Sequence, residues 1–414
     1  MNGSSRTADL YRTFVVDAMR PMRGGLLEVR LPSGEELRFG EDPSGPRARL
    51  HVKRDDFFRK CVLFGDVGFG EAYVDGDWET DDVAAVIRWM IHNVEHHPTL
   101  MDDRPRRPKI SLLRFWNDLR HRLRANTPGQ SRRNIAAHYD LGNEFFRLFL
   151  DPRMVYSSAL YESPDDTLES AQLRKLERLC AKLRLSEGVE LLDIGGGWGG
   201  LAFHAAQHYG CRVTVVTLSE RQYEHLLRGI DDRGLHGRVE AKFIDYRRLK
   251  GAYDRIVSVE MIEAVGHEYL PAYFRQCHQL LRKDGLLVLQ AILAPDPRYG
   301  SFRRTSDWIQ KHIFPGGLLP SYDAIHRAVR RTGDLCLVDY EDLTASYART
   351  LADWRTNLEA AAPQARSLGF DEKSLRKWGY YFSYCEGAFA TRNITAAQIV
   401  MARPNCRLLA GEVS

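Results

Sequence analysis

The feature that most constrains the fold is an apolar run that ends in a cluster of glycines. Residues 189–200 read Val-Glu-Leu-Leu-Asp-Ile-Gly-Gly-Gly-Trp-Gly-Gly. The apolar part predicts a buried strand, and Gly195, Gly197 and Gly200 have the spacing of a turn in which the backbone approaches a ligand closely. Because such a turn joins a strand to a helix, the segment predicts a site for a nucleotide-like cofactor.

Two neighbouring details indicate which cofactor this is. Asp193 stands two residues before the first glycine, and the next predicted strand ends at Thr217, with Gln222 shortly after it. A dinucleotide site would place an acidic residue on the ribose at the end of that second strand. The pattern therefore favours S-adenosylmethionine over a dinucleotide.

Alternating apolar runs and amphipathic segments extend over the C-terminal part of the chain. They predict an α/β fold with a mainly parallel, doubly wound sheet that is covered on both faces. A small α/β domain is expected at residues 1–100, where 27–31 and 36–39 predict a hairpin. The expected strands after the glycine turn are 212–217, 239–244, 255–259 and 286–292, and the expected helices are 167–183, 198–209, 220–234 and 269–281.

Residues 101–133 differ abruptly from their surroundings. They contain ten Lys and Arg residues against three Asp, interleaved with apolar residues three and four positions apart. One interpretation is a basic amphipathic helix on an anionic membrane surface. The other is a linker helix between the small domain and a catalytic domain at 134–414, with its basic face in solvent.

Composition excludes several classes of protein. The chain has 59 basic and 55 acidic residues, a balance that argues against nucleic-acid binding, and its seven cysteines contain no Cys-x-x-Cys pair. Neither a disulfide framework nor a metal site is expected, which favours the cytoplasm. The N-terminus lacks the apolar core of a signal peptide. A cytoplasmic protein, peripheral at the inner face of the membrane, is the resulting expectation.

Several further motifs occur in a fixed order around the glycine turn. They are residues 134–146 (Asn-Ile-Ala-Ala-His-Tyr-Asp-Leu-Gly-Asn-Glu-Phe-Phe), 154–159 (Met-Val-Tyr-Ser-Ser-Ala), 168–172 (Leu-Glu-Ser-Ala-Gln), 258–266 (Ser-Val-Glu-Met-Ile-Glu-Ala-Val-Gly) and 313–317 (Ile-Phe-Pro-Gly-Gly). In this order they resemble the cyclopropane-fatty-acyl-phospholipid synthase family, which includes the mycolic acid cyclopropane synthases. The resemblance covers most of residues 60–403 and implies an α/β fold with a Rossmann-like class I methyltransferase sheet and helical insertions.

The resemblance implies a set of residues around S-adenosylmethionine. For Asp245, a helix N-cap is an equally good interpretation, because the residue directly follows a strand. The implied cofactor-binding residues are Tyr139, Tyr156, Ser157, Asp193, Gly195, Gly197, Thr217, Gln222 and Asp245.

The resemblance also implies how a proton is removed. The family holds a bicarbonate ion with a Cys, a Glu, a His, the main-chain amide of an Ile and a Tyr. Here Glu263, Ile292 and Tyr347 match, but Ser158 replaces the Cys and Gln290 replaces the His. Two outcomes are expected. Bicarbonate binds more weakly through the remaining groups, or Glu263 acts as the base with a pKa raised by burial.

The expected reaction is transfer of a C1 unit from S-adenosylmethionine to the cis double bond of an unsaturated phospholipid acyl chain. It gives a cyclopropane through a carbocation, which water must not reach and which aromatic faces stabilise. The alternatives are a methyl- or methylene-branched product, N-methylation of an amine, and a non-catalytic lipid- or cofactor-binding protein. The expected partners are the phospholipid and an anionic membrane surface, with a homodimer as a further option.

Overall fold

The computed structural model describes residues 2–94, 141–305 and 307–409. The described chain forms two compact units. One contains the N-terminal residues together with 304–315 and 351–393, and the other contains the remainder. The basic segment 101–133 and Tyr139 lie outside the described residues. The expectations for them, and the domain boundaries drawn from the sequence, stay predictions.

The helices and strands are numbered in chain order. The helices are α1 (Asn2–Met19), α2 (Asp56–Val74), α3 (Val83–Val94), α4 (Asn143–Arg147), α5 (Leu168–Lys182), α6 (Gly200–Tyr209), α7 (Glu220–Asp232), α8 (Leu270–Leu280), α9 (Tyr299–Phe302), α10 (Trp308–His312), α11 (Tyr322–Arg330), α12 (Thr344–Ala360), α13 (Ala362–Ser367) and α14 (Glu372–Ala390). The strands are β1 (Leu26–Arg30), β2 (Glu36–Phe39), β3 (Arg47–Val52), β4 (Trp78–Glu79), β5 (Glu190–Ile194), β6 (Arg212–Thr217), β7 (Val239–Phe243), β8 (Tyr253–Val259), β9 (Leu281–Leu293), β10 (Cys336–Asp342) and β11 (Thr395–Ala402).

The N-terminal unit contains a four-stranded sheet in the order β2-β1-β3-β4. The expected hairpin forms, with β1 antiparallel to β2 and Leu27 opposite Phe39. Alternate residues of β1 are buried, as the period of a strand with one covered face requires. Trp78 and Trp89 are fully buried in this unit.

The second unit contains a seven-stranded sheet in the order β10-β11-β9-β8-β5-β6-β7. Strands β5 to β9 run parallel to one another, whereas β11 is antiparallel to both β9 and β10. The α/β fold with a mainly parallel sheet, expected from the sequence, is therefore confirmed. Strands β10 and β11 were not among the expected elements, and they complete the sheet on the side of β9.

Helices cover both faces of this sheet. Leu191 and Leu192, adjacent in β5, belong to opposite hydrophobic clusters, because successive side chains of a strand point to opposite faces. Phe203 of α6 packs on one face, and Phe274 of α8 and Ile325 of α11 pack on the other. A parallel sheet covered on both faces binds ligands at the carboxyl ends of its strands.

No described helix has both the length and the apolar character needed to cross a bilayer.

Candidate active site

The glycine turn follows β5 and leads into α6. Gly195 and Gly197 have φ angles of 78° and 58°, which a residue with a side chain adopts only at a cost. A Cβ atom at Gly196 would lie 2.3 Å from Cγ2 of Val215 and 2.7 Å from Oδ2 of Asp193. The turn therefore requires glycine for its backbone conformation and for its close approach to β6.

Asp193 precedes this turn and is almost fully buried. Burial raises the pKa of its carboxyl group to about 7, and the nearby charge of Lys175 partly opposes this rise. Lys175 in α5 is itself buried, and burial lowers its pKa to about 8. Asp193 and Lys175 are thus two titratable groups that folding removes from water.

Thr217 and Gln222 meet at the end of β6. The Thr217 hydroxyl donates a hydrogen bond of 2.8 Å to Oε1 of Gln222 and accepts one of 3.1 Å from the amide of Ser219. Both side chains are buried. The structure brings these two predicted cofactor residues together, at the same edge of the sheet as the glycine turn.

Asp245, at the end of β7, has a different set of contacts. Its side chain caps the short helix Tyr246–Arg248 by accepting from the amide of Arg247. The Arg247 guanidinium also pairs with it, with Nη2 2.6 Å from Oδ2. The N-cap interpretation therefore describes its contacts, and its role toward adenine stays a prediction.

Tyr156 and Ser157 lie before α5. The ring of Tyr156 packs edge-on against Phe146, with ring centroids 5.4 Å apart. The Ser157 hydroxyl accepts a hydrogen bond of 2.7 Å from Nζ of Lys175, and Gln172 donates to its carbonyl oxygen. Side chains of α5 therefore fix the backbone of this predicted cofactor loop.

Glu260, which sequence reasoning assigned no role, lies at the centre of the site. Its Oε1 accepts 2.8 Å hydrogen bonds from the amide of Ser158 and from Nε2 of Gln290. Its Oε2 accepts a 2.5 Å hydrogen bond from the hydroxyl of Tyr347. Gln290 is held in turn by Gln398 of β11. The one signal in the sequence was a second acidic residue, three positions before Glu263, at the end of a predicted strand.

Glu263 lies close to Glu260 and is partly buried. Its Oε1 accepts a 2.6 Å hydrogen bond from the amide of Ile292, whereas Oε2 is buried without a hydrogen-bond partner among the described residues. Burial, followed by the charge of Glu260, raises the pKa of Glu263 to about 8. The two carboxyl groups therefore differ in environment, because Glu260 accepts from three donors and Glu263 accepts from one.

The residues that were expected to bind a bicarbonate ion make hydrogen bonds within the protein. Ser158, Gln290 and Tyr347 all donate to Glu260, and the amide of Ile292 donates to Glu263. The Ser158 hydroxyl donates to the carbonyl of Ala159. The structure thus shows protein carboxyl groups as partners of these expected anion ligands, and the binding of bicarbonate stays a prediction.

A comparison with known families identifies the chain. A family model described as mycolic acid cyclopropane synthetase matches residues 126–399, about two thirds of the sequence. The chain belongs to this family.

Individual relatives agree with the family assignment. The chain is 37% identical to the tuberculostearic acid methyltransferase UfaA1 of Mycobacterium tuberculosis, over 91% of this chain and 88% of that protein. It is 36% identical to the cyclopropane-fatty-acyl-phospholipid synthase of Escherichia coli K12, over 86% of this chain and 88% of the relative. These alignments extend beyond the region of the family model.

A solved structure shows the same fold with a cofactor product bound. The mycolic acid cyclopropane synthase CmaA1, complexed with SAH and CTAB, aligns with a TM-score of 0.61 at 32% identity and covers 65% of this chain and 97% of its own. SAH is what remains of S-adenosylmethionine after methyl transfer. This member of the mycolic acid cyclopropane synthetase family is an S-adenosylmethionine-dependent methyltransferase. The individual residue assignments stay predictions.

Proposed function

We propose that this methyltransferase transfers a C1 unit to the cis double bond of an unsaturated phospholipid acyl chain and forms a cyclopropane ring. The observation that carries the proposal is the buried carboxyl pair, Glu260 and Glu263, beside the carboxyl ends of β8 and β9. The name of the Escherichia coli relative supports the substrate class.

The glycine turn and the neighbouring polar residues fit S-adenosylmethionine. The positive φ angles of Gly195 and Gly197 leave the backbone open to close approach, and no atom lies within 4 Å of a Cβ at Gly197. Thr217 and Gln222 offer buried polar atoms at the next strand. When bound, the cofactor supplies an electrophilic methyl group on a sulfonium.

The remaining requirement is a proton acceptor in a dry environment. An alkene that accepts a methyl group becomes a carbocation, and closing the ring requires the loss of one proton. Glu260 and Glu263 are both partly buried, burial raises the pKa of each, and their hydrogen bonds differ, with three donors to Glu260 and one to Glu263. Glu260 has the donors that favour a carboxylate, whereas the pKa of Glu263 is raised to about 8, so that it holds a proton at neutral pH.

A second candidate product is a methyl- or methylene-branched chain. It is favoured by the 37% identity to a relative named as a tuberculostearic acid methyltransferase. The two outcomes differ in which carbon loses the proton. Loss from the transferred methyl group closes a ring, and loss from a neighbouring chain carbon gives a methyl-branched alkene. A methylene branch forms when a hydride first moves from the methyl-bearing carbon to the cation and the methyl group then loses the proton.

The membrane partner is part of the same proposal. A phospholipid substrate requires the enzyme to reach an anionic bilayer, at the inner face in a cytoplasmic location, and the ten basic residues of 101–133 provide complementary charge. The alternative role of this segment is a linker. The proposal also includes a homodimer, and a measurement of the oligomeric state in solution tests this part.

The test is the lipid profile of a host that lacks its own synthase. Cells expressing the chain should gain phospholipid acyl chains heavier by one carbon and two hydrogens, and the double variant Glu260→Gln/Glu263→Gln, which lacks both carboxyl groups, should prevent the gain. Because ring and methylene isomers have the same mass, NMR of the purified fatty acids against standards separates the two products. Unchanged acyl chains in cells that contain the folded protein would contradict the proposal and favour an amine methyltransferase or a binding protein.

A further inference from the structure

The hydrogen bonds of Glu260 leave one acceptor position open. A carboxylate has about four lone-pair positions, two on each oxygen. The amide of Ser158 and the side chain of Gln290 occupy Oε1, and the hydroxyl of Tyr347 occupies one position on Oε2. The carboxylate is therefore held firmly in one orientation, and Oε2 keeps a position at which it can accept a proton.

The backbone of Glu260 is also unusual. Its φ angle is 49°, in the left-handed region, where a residue with a side chain costs about 1–2 kcal/mol more than glycine. Its amide donates a 2.7 Å hydrogen bond to the carbonyl of Gln290, which fixes this conformation. Both the backbone strain and the removal of the carboxylate from water lower the stability of the folded protein. Such features concentrate at functional sites.

The hydrogen bonds and charges around Glu260 differ from those around Glu263. Burial raises the pKa of Glu260, but the hydrogen bonds from Tyr347, Gln290 and Ser158 oppose the rise, as does the charge of Lys175. Glu263 has a single donor, and its pKa of about 8 keeps it protonated at neutral pH. The hydrogen bonds therefore favour a carboxylate at Glu260, which has three donors, over one at Glu263, which has a single donor.

We propose that Glu260 is the proton acceptor of the reaction, so that the enzyme works without dissolved bicarbonate. This inference rests on the proposed function. In the step, a C–H bond of the transferred methyl group breaks, its electron pair forms the closing C–C bond of the ring, and the proton moves to Oε2 of Glu260. For a branched product, the C–H bond of a neighbouring chain carbon breaks, and its electron pair forms the new double bond.

Because the φ angle of Glu260 is positive, the proposal can be tested by substituting glycine at this position. Glu260→Gly removes the carboxylate at a position where glycine relieves backbone strain, and it leaves the donors of Ser158, Gln290 and Tyr347 without their partner. Glu260→Gln removes the charge but keeps the side chain in place. Both proteins and the wild type are assayed with phospholipid vesicles in buffer freed of carbon dioxide, then with added bicarbonate or formate. Melting temperature and S-adenosylmethionine binding verify that each variant is folded.

The wild type should be fully active without bicarbonate and unaffected when it is added. Both variants should lose at least ~100-fold in rate, the effect of removing a positioned base. Added bicarbonate or formate should restore Glu260→Gly at least ~10-fold and leave Glu260→Gln inactive, because its amide fills the anion position. The proposal is overturned by a wild type that requires bicarbonate, by an active Glu260→Gln variant, or by a folded Glu260→Gly variant that no anion restores. A wild type that forms no product would instead contradict the proposed function.

Discussion

The hydroxyl of Tyr347 donates a 2.5 Å hydrogen bond to Oε2 of Glu260, although the two residues lie 87 positions apart in the chain. Tyr347 lies in the first turns of α12, and Glu260 directly follows β8. The contact therefore links a helix to the catalytic edge of the sheet. It stabilises the ionised form of the carboxyl group, since a phenol donates to a carboxylate.

Replacing Tyr347 by Phe should shift the pH dependence of the reaction. The variant loses a donor to the ionised form of Glu260, so the pKa of Glu260 rises. Because the reaction requires the ionised form, the acidic limb of the kcat profile should move to higher pH, with a rate loss of about tenfold at neutral pH. Tyr340→Phe, on the exposed strand β10, is the matched control. An acidic limb that coincides with that of the wild type would contradict the role of this hydrogen bond.

Replacing Glu263 by Gln should change how stability depends on pH. The folded-state pKa of about 8 lies above the ordinary value of 4.5, so between these values the folded protein holds a proton that the unfolded chain releases. In that window the unfolding free energy of the wild type falls as pH rises, by up to about 1.4 kcal/mol per pH unit from this group. The variant lacks this contribution, whereas Asp193 titrates in both proteins.

Urea unfolding of the two cofactor-free proteins at several pH values measures this difference. The stability of Glu263→Gln relative to the wild type should increase from pH 5 to pH 8 and then level off. Parallel curves over that range would show that Glu263 titrates near its ordinary pKa.

Gly196→Ala should disturb the cofactor turn through steric overlap. The added methyl group would lie 2.3 Å from Val215 and would force the turn away from β6. We expect a loss of ~1–3 kcal/mol in stability and at least tenfold weaker S-adenosylmethionine binding by calorimetry. Gly234→Ala serves as a control, because its Cβ meets no atom within 4 Å and only its φ of 62° is strained. Equal cofactor affinity in both variants would argue against the predicted role of the turn.

Thr217→Val should weaken cofactor binding by releasing Gln222. Valine has a similar shape but lacks the hydroxyl that donates to Oε1 of Gln222. We expect about a tenfold loss in affinity, because one buried hydrogen bond contributes about 1 kcal/mol and an unpaired partner costs more. Thr217→Ser keeps the hydroxyl and should bind nearly as well as the wild type. Unaltered binding to Thr217→Val would show that Gln222 is oriented by other contacts.

Much of the fold could be predicted from local patterns in the sequence. The glycine turn, the parallel strands β5 to β9 and the helices between them follow from apolar periodicity and glycine spacing, which depend on neighbouring residues. Strand β11 was missed although residues 395–402 are largely apolar. Its position between β9 and β10 is set by antiparallel pairing with strands far away in the chain.

The candidate site was predicted only in part, for a similar reason. The donors to Glu260 lie 102, 30 and 87 positions away from it in the chain, at Ser158, Gln290 and Tyr347. The sequence named these three residues but assigned them to a free anion. Nothing local to residue 260 shows that its own carboxylate reaches them, because that depends on the left-handed backbone at the end of β8.

The order of strands also has a consequence for synthesis on the ribosome. Strand β9 pairs with β8 on one edge and with β11 on the other, yet about a hundred residues separate β9 from β11 in the chain. Until residue 402 has left the exit tunnel, one edge of the apolar strand β9 has no partner, and Gln398 cannot brace Gln290. Until β11 has emerged, a nascent chain of this enzyme therefore exposes an aggregation-prone strand edge, and a chaperone bound at this stage would protect it.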